Sequence, residues 1–129
     1  MIMMIIMKAT PIVRIKDLHT NLSSEKLTVK FVSTVISIID KPEDKLVSIM
    51  VEDDTGQIEL RIFGEKRDRR RVMDYISIGD HVLVIGEVRR WGGEVYVIPK
   101  NMRKIDEAWV KYYKLRLERY QQKISQKTR

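Results

Sequence analysis

The stretch VSIMVEDDTGQIELRIF, residues 47–63, contains two segments in which apolar and other residues alternate, joined by the turn sequence DDTG. Alternation with a period of two is typical of β-strands that bury one face, and Gly56 suits the tight turn of a hairpin. A second stretch of this kind, DHVLVIGEVRRWGGEVYVI, covers residues 80–98 with a glycine pair as its turn. The sequence therefore predicts two β-hairpins, the second of which ends at Pro99.

A long strand precedes the first hairpin. Residues 27–39, LTVKFVSTVISII, are rich in β-branched side chains, and their apolar positions shift from odd to even numbers along the segment. This shift predicts a bend or bulge, which lets one strand pair in both halves of a barrel. The residues between the hairpins, EKRDRRRVMDYI, weakly predict a short helix. This order predicts an all-β fold, the five-stranded Greek-key OB barrel, with a helix between strands three and four.

The last part of the chain changes to a helical period. Six apolar residues are spaced three or four positions apart, as one face of an α-helix requires. They are Ile105, Trp109, Tyr113, Leu117, Tyr120 and Ile124. We therefore expect three parts: a lead-in over residues 1–26, the barrel over 27–103, and a C-terminal α-helix with a basic tail over 104–129. The apolar stripe would pack against a partner subunit or fold back on its own barrel.

Composition narrows the class of protein. The chain of 129 residues has no cysteine, which excludes disulfides, thiolate metal sites and cysteine nucleophiles. The apolar start MIMMIIM is too short for a membrane span of about 20 residues, and it lacks the features of a signal peptide. We therefore expect an intracellular protein, with no membrane partner.

Charge points to a polyanionic partner, and the motifs argue against catalysis. The net charge is +7, and basic residues outnumber acidic ones from residue 64 onward. No phosphate-binding glycine loop or nucleophile–base pair is visible in the sequence, and the acidic cluster at 52–54 is typical of turn chemistry. We therefore expect no enzymatic activity, no metal and no cofactor.

Aromatic and basic side chains fall on the outward side of the predicted strands. Exposed rings stack on unpaired bases and guanidinium groups contact phosphates, so this pattern predicts a surface for single-stranded nucleic acid. The candidate residues are Arg61, Phe63, Arg89, Arg90, Trp91, Tyr96, Lys41 and Lys45.

Packing alternatives stay open for several of these side chains. Phe63 could pack under the helix that follows it, and Trp91 could cover the rim of the barrel. The arginine run at residues 67–71 could bind phosphate or form a solvated helix face.

Two segments resemble a known family. Residues 35–63 and 79–98 are similar to the middle subunit of replication protein A and to the small OB subunit of the telomere-capping CST complex, and residues 15–18, IKDL, resemble archaeal single-strand-binding proteins. The resemblance implies an archaeal-like protein of DNA replication or repair, which would be cytoplasmic or nucleoid-associated in a prokaryote. It implies that Phe63 and Trp91 stack on bases beside Arg61 and Arg89. It also implies that the C-terminal helix packs against other OB subunits or a second copy.

Three functions follow from these patterns. The first is binding of single-stranded DNA as a subunit of a replication protein A-like complex. The second is binding of RNA, as in OB domains of the tRNA or exosome type, which a preference for the 2′-hydroxyl would reveal. The third is a protein–protein adaptor, for which we expect no salt-dependent affinity for nucleic acid.

Overall fold

Five strands and three α-helices make up the computed structural model, which describes residues 10–20 and 27–127, with side chains over 10–19 and 27–119. The Met-rich start and the side chains of Tyr120 and Ile124 lie outside these described residues. The elements are α1 Ile15–Thr20, β1 Leu27–Lys41, a 3-10 helix Pro42–Asp44, β2 Leu46–Asp53, β3 Gly56–Phe63, α2 Lys66–Tyr75, β4 His81–Trp91, β5 Glu94–Ile105 and α3 Glu107–Lys127.

The bend predicted in β1 is present and allows the barrel to close. Residues 27–34 pair with β4 and residues 34–41 pair with β2, with a register shift between Val35 and Ser37. The extra residue of a bulge strengthens the local twist and redirects the strand. The strands close in the order β1-β2-β3-β5-β4, with a short parallel pairing between β3 and β5. The prediction of a five-stranded OB barrel is confirmed.

β5 is longer than the sequence predicts. The strand continues past Pro99 to Ile105, which pairs with His81 of β4. Pro99 lies at a register shift opposite Gly86, where a residue without an N–H group does not interrupt a regular ladder. The prediction that Pro99 ends the strand is therefore wrong. Ile105 belongs to β5 and not to the C-terminal helix, because its backbone pairs with β4.

The core fills the barrel and is covered at both ends. The inward residues are mostly Val, Ile and Leu around Phe31, which is fully buried. At the end formed by the β2–β3 turn, α1 buries Ile15 and Leu18, and the N–H of Ile15 donates to the Asp53 carboxylate at 2.9 Å. At the other end, Ile76 after α2 is buried. α1 and the α2 segment thus cover the two ends that the strands leave open.

In the acidic β2–β3 turn, the carboxylate of Asp53 accepts hydrogen bonds from backbone N–H groups. The Asp53 carboxylate also accepts the N–H groups of Thr55 at 2.7 Å and Gly56 at 3.1 Å. Across the described ranges, no three or more His, Asp or Glu side chains lie together as a metal site would require. The carboxylate of Asp53 therefore fixes the turn and anchors α1 to it.

Gly86 of β4 lies tightly against the backbone of β5. A Cβ atom at this position would lie 2.7 Å from the Ile98 carbonyl oxygen and 3.0 Å from the Pro99 Cα. Both are backbone atoms that cannot rotate away. The residue must therefore lack a side chain for the bulge to form.

We expect Gly86→Ala to lower the free energy of unfolding by about 1–3 kcal/mol, because the added methyl overpacks against backbone. The urea denaturation midpoint measures this change. Gly56→Ala is the matched control, since its Cβ would meet nothing closer than Ile15 Cγ2 at 3.7 Å. The control should change stability by less than about 0.5 kcal/mol. Equal effects of the two substitutions would contradict the packing described at Gly86.

Candidate nucleic-acid interface

The barrel brings several predicted residues together on one side, which we call the sheet face. It is the outward side of β3, β5 and β4, and its polar members are Glu59, Arg61, Glu87, Arg89, Glu94, Tyr96 and Lys100. The strand register brings these residues together, because Glu59 pairs with Tyr96 of β5 and Tyr96 pairs with Arg89 of β4. Side chains of the β4–β5 hairpin and of β3, which is distant from it in sequence, thus form one row across the face.

Arg61 is held over the ring of Tyr96. Its guanidinium carbon lies 4.0 Å from the ring centroid, a cation–π distance. Its Nε donates to Glu59 at 2.9 Å and its Nη2 donates to Glu94 at 3.0 Å. Partial burial lowers the pKa of Arg61, but hydrogen bonds and charge from the two glutamates outweigh it, so this pKa is raised. Arg61 is therefore a fixed cation, with its Nε and Nη2 groups already engaged by glutamates.

A second ion-pair group lies on β4 and β5. Glu87 accepts from Arg89 at 2.7 Å and lies 3.2 Å from Lys100 Nζ. These hydrogen bonds from Arg89 and Lys100 hold the pKa of Glu87 below its ordinary value. Arg89 Nε is buried without a hydrogen-bond partner. Each cation of the sheet face is thus neutralised by a neighbouring glutamate.

Sequence reasoning missed these carboxylates, although a signal for them existed. Glu59 and Glu87 each stand two residues before a predicted site arginine, so strand alternation places them on the same face. Glu94 follows the glycine turn and reaches Arg61 only because β5 lies beside β3. That last contact depends on tertiary structure and has no local signal.

Two aromatic rings lie exposed near the sheet face. Trp91, at the tip of the β4–β5 hairpin, is 76% exposed, and Phe63, at the end of β3, is 54% exposed. The packing alternatives for these residues require burial under a helix or on the rim, which these exposures do not show. Along the sheet, Tyr96 and Arg61 lie between the two rings, so the surface runs from Trp91 through Tyr96 to Phe63.

The other three candidates lie elsewhere or at the margin. Arg90 donates from Nη2 to the Leu18 carbonyl oxygen at 2.8 Å, so it anchors α1 and is not brought to the sheet face. Lys45 lies 3.3 Å from Glu65 and its carbonyl oxygen accepts the N–H of Gly64, beside Phe63. Lys41 is exposed where β1 ends. The two lysines therefore flank the Phe63 end of the surface.

The arginine run of α2 divides into a buried residue and exposed ones. Arg69 is 6% exposed, and it donates from Nε to Asp40 at 2.9 Å and from Nη1 to the Gly64 carbonyl at 3.0 Å. It therefore joins α2 to the end of β1. The signal was available, because Arg69 shares the helical face of Val72, Met73 and Ile76.

α3 lies against its own barrel by a face slightly different from the predicted stripe. Val110, Tyr113 and Leu117 line a groove of about 510 Å³ between α3 and β1. Lys114 lies 3.6 Å from Asp54, and Lys30 Nζ lies 5.9 Å from the centre of the Tyr113 ring. These contacts support the alternative in which the helix folds back.

The outward side of α3 carries an aromatic cluster. Trp109 is 52% exposed and meets Tyr112 edge to face, with ring centroids 5.6 Å apart. Trp109 was predicted on the packed stripe, whereas Tyr112 was not singled out.

None of the described helices is both long and apolar enough to cross a membrane.

Comparison with known proteins identifies a family and a relative that this chain matches in sequence. Residues 29–105 match a family described as OB-fold nucleic acid binding domain. An uncharacterized protein of Methanocaldococcus jannaschii is 32% identical over 84 residues, which are 65% of this chain. The chain spans only 35% of the length of that relative.

Solved structures share the fold. A chain of a replication protein A heterotrimer bound to single-stranded DNA has a TM-score of 0.59 and 26% identity, over 74% of this chain and 72% of that one. The Stn1–Ten1 complex of S. pombe has a TM-score of 0.60 and 19% identity, over 79% of this chain and 78% of that one. At 19% identity the second likeness concerns the fold alone.

Proposed function

We propose, from the premise that this chain belongs to the family of OB-fold nucleic acid binding domains, that it binds single-stranded DNA on its sheet face. It does so without catalysis, as one subunit of a replication protein A-like assembly in replication or repair. The likeness to a replication protein A heterotrimer bound to single-stranded DNA supports this choice of ligand.

The observation that carries the proposal is the exposure of Trp91. An indole that is 76% exposed at a hairpin tip contributes little to stability, yet it offers a flat π-surface. Unpaired bases present their faces to such a ring, whereas a duplex hides them, so the surface selects single strands. Each base stacked on an aromatic side chain contributes about 1–3 kcal/mol.

The glutamates of the sheet face determine how a strand would lie on it. Arg61, Arg89 and Lys100 are each paired with a carboxylate, so the face attracts phosphates weakly. Bases gain from the exposed rings of Trp91 and Phe63, whereas the ring of Tyr96 already carries the Arg61 guanidinium on one face. The strand therefore binds with its bases toward the sheet and its phosphates toward solvent.

The assembly part of the proposal rests on α3. Its inner side faces its own barrel, so the outer side is what remains for other OB subunits or a second copy. Trp109, Tyr112 and Leu115 are each about half exposed there. Aromatic side chains are enriched at the centres of protein interfaces, which makes this the side offered to a partner.

Trp91→Ala should weaken binding to an oligo-dT of about 16 nucleotides by about 1–3 kcal/mol, because one stacked base loses its platform. Fluorescence anisotropy of the labelled oligonucleotide measures the dissociation constant. Trp109→Ala is the matched control and should leave it unchanged. If both variants bind like the wild type, stacking on Trp91 is excluded. Tighter binding of an RNA of equal sequence would indicate that the ligand is RNA and not DNA.

Glu94→Gln should strengthen binding, because it removes one of the two carboxylates that hold Arg61. The gain should match an exposed ion pair, about 0.2–1 kcal/mol. The slope of log K against log salt should steepen by up to about 0.7, one further phosphate contact on a single strand. Glu118→Gln on α3 removes the same charge away from the face. A gain of equal size in that control would indicate a general field effect, and would contradict competition at Arg61.

A further inference from the structure

A groove outside the sheet face separates α2 from β5. Its volume is about 280 Å³, and its apolar lining includes Ile62, Val72 and Met102. Arg71 and Lys100 stand on opposite sides of it, one on the helix and one on the strand. The groove thus has an apolar floor and cationic walls.

Three cations at this groove differ from Lys100 and from the cations of the sheet face in having no acidic partner among the described residues. Arg71 lines the groove, Arg67 lies one helical turn before it on α2, and Lys104 lies over the ring of the groove residue Tyr75. None of these three forms an ion pair with a carboxylate of the described residues, whereas Arg61, Arg89 and Lys100 each do. The groove therefore concentrates unneutralised positive charge.

The aromatic residue of the groove is already engaged. Lys104 Nζ lies 4.8 Å from the centre of the Tyr75 ring, and the Lys104 N–H donates to the Tyr75 hydroxyl oxygen at 3.2 Å. One face of the ring is thus covered by a cation. The groove presents charge more than free π-surface, which suits phosphates and not bases.

The groove is continuous with the sheet face. Lys100 lines the groove and also contacts Glu87 of the face. Ile62 lines it too, and the next residue is the exposed Phe63. From Tyr96 to Lys100 is four residues of extended strand, about 13 Å. A nucleic acid strand that passes Tyr96 and Phe63 reaches the groove next.

We propose that this groove binds the phosphate backbone of the same single strand after it leaves the sheet face, through Arg71 in its lining and through Arg67 and Lys104 beside it. The inference rests on the proposed function and deepens it. Bases stack at one part of the site and phosphates bind at the other. Binding at the groove is independent of base sequence and requires a strand long enough to span both parts.

The test compares labelled oligo-dT of about 6 and about 16 nucleotides, both within the range that one OB domain covers. The full-length chain is compared with the Arg67→Ala/Arg71→Ala double variant. For the longer strand, we expect the salt slope of the variant to fall by about 1.4 and its affinity at moderate salt to fall roughly tenfold, since two phosphate contacts are lost. For the shorter strand, we expect little change. Circular dichroism confirms that the variant is folded.

The matched control is Lys111→Ala/Arg119→Ala, which removes two exposed charges from α3. Equal losses in both double variants, or equal losses for both strand lengths, would overturn the groove and leave only a general positive field. If Trp91→Ala loses affinity but the α2 variant shows no length-dependent effect, phosphate binding at the groove is overturned and the proposed function stands. If the wild type binds neither strand, both proposals are overturned.

Discussion

The bend in β1 is the constraint on which the other features depend. By shifting register between Val35 and Ser37, one strand pairs with β4 along its first half and with β2 along its second. Closure then brings β3 beside β5 in parallel, although the paired positions, such as Glu59 and Tyr96, are 37 apart in the sequence. Only this contact places Arg61 over Tyr96 and within reach of Glu94. The site is therefore a product of barrel closure and not of any one hairpin.

Charge distinguishes two parts of the outer surface. On the sheet face, Arg61, Arg89 and Lys100 are satisfied by glutamates, so the free energy available to a ligand there comes mainly from the rings. At the groove between α2 and β5, Arg67, Arg71 and Lys104 have no such partners among the described residues. A polymer with both bases and phosphates can use each surface for what it offers, which a small anion or a folded duplex cannot do as well.

The fold was predictable because each of its signals is local. Alternation gave the hairpins, and a shift of phase in residues 27–39 gave the bend. Contacts between distant segments were not predictable in the same way. The Glu94–Arg61 pair depends on β3 meeting β5, and the continuation of β5 beyond Pro99 depends on a bulge opposite Gly86. Arg69 was grouped with its exposed neighbours, although its helical spacing to Val72 and Ile76 indicated burial. On α3, Val110 lies on the side that faces the barrel, where Trp109 was predicted.

The central claim is that unpaired bases stack on Trp91, and the chain offers a direct measurement because it contains only two tryptophans. A ¹H–¹⁵N spectrum resolves one indole N–H signal for each, at the hairpin tip and on α3. Titration with oligo-dT should shift the Trp91 indole signal progressively and leave the Trp109 signal in place. A shift of Trp109 with an unmoved Trp91 would contradict the account and move the binding surface to the helix.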